Sequence, residues 1–190
     1  MKKVNTRVEF LDEVSLLLPY KPVCLEIGTY QGEFTELMYK RLRPSKLYTI
    51  DPFEIMTEPI TKRDYYTGAH SSHRILYSDN NTLQMAEKLL SEQIKNNEII
   101  IDINLSTDAV TNYPKNYFDF IYIDACHMYE CVKSDLELYL PKLKKGGYMA
   151  GHDYGDFGVT QAVDEFCKKY NYEIQMLCRH QGDWMLTSKF

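Results

Sequence analysis

The sequence predicts a doubly wound α/β domain: an open, mainly parallel sheet with helices on both faces. Two observations carry this. Short apolar runs of strand length alternate with amphipathic stretches of ten or more residues, the pattern of successive βαβ units. No repeat, low-complexity tract or Pro/Gly/Ser linker interrupts the alternation, so residues 1–190 read as one domain with a sizeable core.

The elements follow in order. Val4, Val8, Leu11, Ser15 and Leu18 recur at steps of three and four, which predicts a helix within the first 20 residues, ended by Pro19 and Pro22. VCLEIG is a first strand that finishes in glycine. Phe34, Leu37, Met38, Arg41 and Leu42 mark a helix stopped by Pro44, and KLYTID is a second strand ending in an acid. A helix over 82–94, strands over 99–105 and at FDFIYID, and a helix over 128–140 continue the series. GGYMAGHD is the fifth strand. Val159, Ala162, Val163 and Phe166 then share one side of a helix. YEIQMLC and WMLTSK close the chain around Gln181-Gly182-Asp183, a connection too short for a parallel crossover. The expected sheet is therefore seven-stranded, with one antiparallel strand near the C-terminus. The 53–77 segment breaks the pattern: it is long, polar and aromatic, and reads as a surface excursion or as a lid over the site.

Composition removes several classes of function. Lys and Arg total 22 against 27 Asp and Glu, a net charge of −5, so neither a generally cationic nucleic-acid binder nor a membrane-surface binder is expected. No apolar run approaches the roughly 18 residues of a membrane span. MKKVNTRVEF has no apolar segment behind its basic start, which argues against a secretory leader. The five cysteines are an odd set without CxxC spacing. The expectation is a cytoplasmic domain with reduced thiols.

In an open parallel sheet the ligand sits at the carboxyl ends of the strands. Those ends carry Glu26-Ile27-Gly28-Thr29-Tyr30-Gln31-Gly32, Asp51, Asp124 and His152-Asp153. Gly28 and Gly32 bracket a tight strand-to-helix turn, where small residues let a ligand approach the backbone. A nicotinamide-dependent oxidoreductase is disfavoured, because Tyr30 and Glu33 occupy the second and third glycine positions of G-x-G-x-x-G. An acid placed like Asp51 commonly accepts the ribose hydroxyls of an adenosine-containing cofactor.

The run EIGTYQGEFT, YTIDPF, FDFIYIDACHMYE and LKKGGYMAGHDY resembles successive motifs of class I S-adenosylmethionine-dependent methyltransferases, over roughly residues 20–190. It is most similar to small metal-dependent O-methyltransferases of the catechol type and to those acting on sugars or natural products. The resemblance implies a Rossmann-like methyltransferase fold and S-adenosylmethionine as cofactor. Glu26, Gly28, Thr29 and Gly32 would form the cofactor turn, Asp51 would take the ribose, and Ser106 with Thr107 would flank the adenine. In the catechol-type enzymes the positions of Asp124 and Asp153 hold a metal, Mg²⁺ being the expected ion here. Those enzymes usually carry Asn after the second Asp, whereas this chain has Tyr154. His127, His152 or Glu26 could supply the missing ligand, or Asp124 could instead contact the cofactor.

His127 lies three residues past Asp124, and its near-neutral pKa suits a general base for a hydroxyl nucleophile. His152 reads as support for the strand end. Tyr154 and Asp156 line the next loop, Trp184 reads as core, and Cys126 with Cys131 are a pair by spacing only. The expected activity is methyl transfer to a hydroxyl of a small molecule or sugar, assisted by a metal or by His127. N-methylation and a catalytically silent cofactor-binding module are the alternatives. A homo-oligomer is left open.

Overall fold

The computed structural model describes residues 1–53 and 80–188. In chain order the elements are β1 (Lys2–Val4), α1 (Arg7–Ser15), β2 (Val23–Ile27), α2 (Glu33–Leu42), β3 (Lys46–Ile50), α3 (Asn80–Leu89), α4 (Ser91–Lys95), β4 (Ile99–Asp102) and α5 (Ser106–Ala109). They continue with β5 (Phe118–Ile123), α6 (Tyr129–Tyr139), β6 (Leu143–Gly151), α7 (Phe157–Tyr170), β7 (Tyr172–Cys178) and β8 (Trp184–Ser188). The strands form one sheet in the order β1-β7-β8-β6-β5-β2-β3-β4. Only β8 runs against its neighbours, antiparallel to both β6 and β7, as the short final connection requires.

Each face of the sheet has its own core, and the period-two alternation of β5 supplies both. Phe120 and Tyr122 face α1 and α2, where Phe10, Leu11, Val14, Met38 and Leu42 are buried. Ile121 and Ile123 face α6 and α7, packing with Val132, Leu136, Val159, Val163 and Phe166. All six residues of β5 are buried, as expected of a central parallel strand covered on both sides. Trp184 is fully buried in the second of these cores.

The structure departs from the sequence reading in four places. The chain opens with a strand, not a helix: Lys2–Val4 pair with Met176–Cys178, which makes the sheet eight-stranded. The buried stripe of α1 is Phe10, Leu11 and Val14 and not the one through Val8 and Ser15. The helix expected over 82–94 is broken at Leu90 into α3 and α4. The strand expected over 99–105 stops at Asp102, whose side chain draws Asn104, Asn112 and Tyr113 into a local hydrogen-bonded cap. From residue 54 onward, the 53–77 segment lies outside the described residues. Among these, no helix is long and apolar enough to cross a membrane.

Register sets the functional edge. Ile27 pairs with Ile50 and Ile123, Ile123 with Gly151, and Ile50 with Asp102, so five parallel strands end level. The pairing continues one residue further: Gly28 N–H donates to Ile50 at 2.8 Å, Asp124 N–H to Ile27 at 2.8 Å and His152 N–H to Ile123 at 3.0 Å. Asp51, Gly28, Asp124 and His152 thus lie in a row.

Candidate active site

The turn between β2 and α2 is held by backbone conformation and by Asp51. Gly28 and Gly32 have φ of 103° and 83°, and Tyr30 is left-handed at 48°. At Gly28 a Cβ would stand 2.0 Å from the Asp124 carbonyl oxygen. The glycine is demanded by the approach of β5, and the space it frees is filled by protein. Asp51, 5% exposed, accepts the N–H groups of Thr29 at 3.1 Å, Tyr30 at 2.9 Å and Phe53 at 2.9 Å. A carboxylate from β3 therefore clamps the β2 turn.

Glu26 is buried beneath this turn. Its Oε2 accepts the Thr35 hydroxyl and the Thr49 hydroxyl, the latter at 2.8 Å, and Thr49 is 2.6 Å from the hydroxyl of Thr29. Burial pushes the Glu26 carboxyl up to about 8, against the opposing pull of the two threonine hydroxyls. The folded chain thus keeps a proton that the unfolded chain releases above its ordinary value of 4.5. The stability from this group is complete below that value and is lost as pH rises toward about 8. Its slope reaches at most ~1.4 kcal/mol per pH unit. Glu26→Gln should therefore flatten the decline of stability between pH 5 and pH 8, as read by urea denaturation. An unchanged pH slope would show that Glu26 is not a protonated buried acid.

A second cluster forms where β5 and β6 end. Asp153 Oδ2 lies 2.9 Å from His127 Nε2 and 2.9 Å from His152 Nδ1, and His152 Nδ1 is 3.6 Å from Asp124 Oδ1. One ligand atom from each of Asp124, His152 and Asp153 lies within 4.8 Å of the others. Asp153 has φ of 58°, a left-handed conformation that Asp tolerates better than most residues. Burial opposes its charge, but hydrogen bonds from His127 and His152 outweigh that and hold it well below the usual carboxylate range. The Asp153 hydrogen bond raises His127. His152 is raised too, the burial that lowers it being overcome by Asp153 and Asp124.

Tyr154 and Asp156 do different work. The Tyr154 hydroxyl donates to Asp164 at 2.8 Å, and Asp156 caps α7 by accepting Gly158 N–H at 3.1 Å. Cys126 and Cys131 share a thiol hydrogen bond, and none of the five cysteines is in a disulfide.

Residues 25–154 match the family model described as a methyltransferase domain. The chain belongs to the class I S-adenosylmethionine-dependent methyltransferases. An O-methyltransferase from Bacillus cereus, solved with S-adenosylhomocysteine, superposes with a TM-score of 0.63 at 16% identity, covering 96% of this chain and 80% of that one. An S-adenosylmethionine-dependent O-methyltransferase from Thermotoga maritima gives 0.62 at 11%, covering 99% and 67%. A ribosomal-protein methylase from Lactobacillus delbrueckii gives 0.61 at 12%, covering 98% and 81%. At such identities these structures share the fold alone. An uncharacterized protein of Acanthamoeba polyphaga mimivirus is 27% identical over 153 residues, 80% of this chain, which spans 60% of that protein's length.

The methyltransferase edge also holds residues that the sequence reading missed. Arg7, the first residue of α1, donates from Nε to Asp183 Oδ1 at 3.0 Å and from Nη2 to the Tyr122 hydroxyl at 2.7 Å and Asp124 Oδ2 at 2.9 Å. Its guanidinium lies 3.8 Å above the Phe34 ring. Burial works against its charge, but Tyr122, Asp124 and Asp183 together raise it. One signal was available: Arg7 stands on the same helical stripe as Phe10, Leu11 and Val14, where a charge needs a partner. The partner Asp183 lies 176 residues away, beyond any local pattern.

Ser106 and Thr107 stand apart from both clusters, at the start of α5 beyond β4. The Ser106 hydroxyl donates to Asp135 at 2.6 Å, and Thr107 is exposed.

Proposed function

We propose that this methyltransferase transfers the methyl group of S-adenosylmethionine to a hydroxyl of a small molecule or sugar. One observation carries the choice of oxygen: His127 is held by Asp153 at 2.9 Å, beside Asp124, at the edge where the cofactor turn ends. A neutral amine attacks a sulfonium methyl group without help, whereas a hydroxyl gains from losing its proton first. Asp153 fixes Nε2 of His127 as the hydrogen-bonded atom, so Nδ1 is the one that can accept a proton. When bound, the cofactor supplies an activated methyl group. The turn and the strand-end acids orient it, and orientation is the larger part of such a displacement.

The residues also suit a divalent ion. Asp124, Asp153 and His152 would hold it, and it would supply positive charge to the acceptor oxygen. Carboxylates alone would suit Mg²⁺, but an imidazole nitrogen in the set shifts preference toward Mn²⁺, Fe²⁺ or Zn²⁺.

Asp51 is proposed to hold the ribose, and this assignment has its own check. Asp51→Ala leaves the Thr29, Tyr30 and Phe53 amides without their acceptor, at about 1–3 kcal/mol for each that stays unsatisfied. Asp51→Asn keeps one acceptor oxygen and most of the fold. In it, S-adenosylhomocysteine affinity measured by calorimetry should fall about tenfold; unchanged affinity would remove Asp51 from the cofactor site.

The activity is tested by incubating the protein with S-adenosylmethionine and panels of hydroxyl and amine acceptors, with S-adenosylhomocysteine release as the readout. Release with hydroxyl acceptors supports the proposal. Release with amines alone would make the chain an N-methyltransferase. Tight binding of S-adenosylhomocysteine without turnover on any acceptor would make it a silent binding module.

A further inference from the structure

The Arg7 side chain is anchored on three sides. Asp183 holds Nε, Tyr122 and Asp124 hold Nη2, and Phe34 supports the flat face of the guanidinium. The two N–H groups of Nη1 make no hydrogen bond to a described residue, and about a fifth of the side chain remains accessible, at 20%. Arginine holds its donors in a rigid plane, so an anchored guanidinium with one nitrogen left over donates to an anion in a fixed direction.

The sheet order says which part of a ligand meets that nitrogen. Along the row β5-β2-β3-β4, the glycine turn follows β2, Asp51 follows β3, and Ser106 lies beyond β4. A cofactor whose ribose sits on Asp51 and whose adenine extends toward β4 must send its amino-acid end the other way, past the glycine turn to β5. Asp124 and Arg7 stand there. That end of the cofactor is a zwitterion, with an ammonium and a carboxylate on one carbon. The Asp124–Arg7 ion pair, 2.9 Å apart, is its charge complement. Without a guanidinium, an incoming carboxylate would approach Asp51, Asp124 and Asp153, all of its own sign. The start of α2 is compatible with an anion as well: its N-cap is Gly32, which has no side chain to satisfy the first-turn amides.

We propose that Arg7, which lies outside the residues matched to the family model, is the receptor for the carboxylate of the cofactor's amino-acid end. Nη1 takes the carboxylate while Nε and Nη2 keep their present partners. The inference rests on the cofactor site proposed above and gives a place in it to a helix that precedes the matched region.

The test compares two ligands by calorimetry. One is S-adenosylhomocysteine; the other is its decarboxylated form, 5′-(3-aminopropylthio)-5′-deoxyadenosine, which keeps the ammonium and lacks only the carboxylate. The wild type should prefer S-adenosylhomocysteine by about 10- to 100-fold, the range of a charge-assisted hydrogen bond. In Arg7→Gln the preference should collapse to less than threefold, through loss of S-adenosylhomocysteine affinity alone. Because Arg7→Gln strips Asp183 of a partner and can fail to fold, Arg7→Lys is made beside it; its ammonium can hold Asp183, but it has no second nitrogen to offer the carboxylate. It should fold and lose most of the preference. Equal affinity of the wild type for the two ligands overturns the proposal, whether or not any variant folds. So does a variant that weakens both ligands by the same factor, since Arg7 would then act only through Asp124 or the fold. A wild type that binds neither ligand would instead remove the cofactor reading itself.

Discussion

Gly28→Ala should be the most damaging single substitution at the cofactor turn, lowering stability by about 4 kcal/mol or more. Two independent penalties coincide. A φ of 103° lies where side chains are rarely accommodated, and the new methyl group would sit 2.0 Å from a backbone oxygen of Asp124. Neither can relax cheaply, because β2 and β5 are paired along Cys24–Ile27 and the Asp124 N–H itself donates to Ile27. Any separation large enough for the methyl breaks that ladder and moves Asp124 away from the row of strand ends. Urea denaturation measures the loss. A midpoint within experimental error of wild type would mean that the close approach of Asp124 to the turn is wrong, and with it the geometry of the site.

Gly32→Ala makes an instructive comparison. Its φ of 83° is also left-handed, but the nearest atoms to a new Cβ are a Leu90 methyl at 3.1 Å and Ala86 at 3.3 Å. The side chain can give way, so conformational strain dominates, at about 1–2 kcal/mol. The two glycines look equivalent in the sequence and differ in what β5 and α3 place against them.

This contrast shows why some of the architecture was legible and some was not. The four strand-end acids could be found because period-two burial and glycine or acid termini are local signals, and a parallel sheet delivers such ends to one edge. Val159, Ala162, Val163 and Phe166 were identified as a buried face for the same reason, and all four are buried. The first strand could not be read. Lys2 and Lys3 are exposed and Val4 alone is buried, so the segment has no pattern of its own; its pairing with Met176–Cys178 supplies the structure. The α1 stripe was misplaced by following Val8 and Ser15, which left Arg7 off the buried face. Its charge is matched only when Tyr122, Asp124 and Asp183 arrive from other strands and the final turn. Polar networks that close across more than a hundred residues leave no periodicity, and the site's cation was lost for that reason.

The strand-end cluster allows a sharper test of chemistry, because Asp153 belongs to both candidate ways of activating a hydroxyl. It holds His127, and it is one of the groups that would bind a divalent ion with Asp124 and His152. Asp153→Asn should therefore lower the methyl-transfer rate by about 100-fold or more. S-adenosylhomocysteine affinity should stay within about threefold of wild type, a difference under ~1 kcal/mol, because Asp153 lies on the far side of Asp124 from the turn. Asp124→Asn should weaken both rate and affinity, since Asp124 faces the cofactor's ammonium as well as the cluster. Chelation then separates the two mechanisms. Loss of activity in chelator, with Mn²⁺ restoring it better than Mg²⁺, assigns the Asp153 effect to an ion held partly by imidazole. Full activity in chelator together with an inactive His127→Ala assigns it to proton removal by a histidine that Asp153 orients. An Asp153→Asn variant with wild-type rate would defeat both mechanisms at once. It would leave Asp153, Tyr154 and the Gly182 carbonyl, which accepts the Tyr154 N–H at 2.9 Å, as a structural corner between β6 and α7.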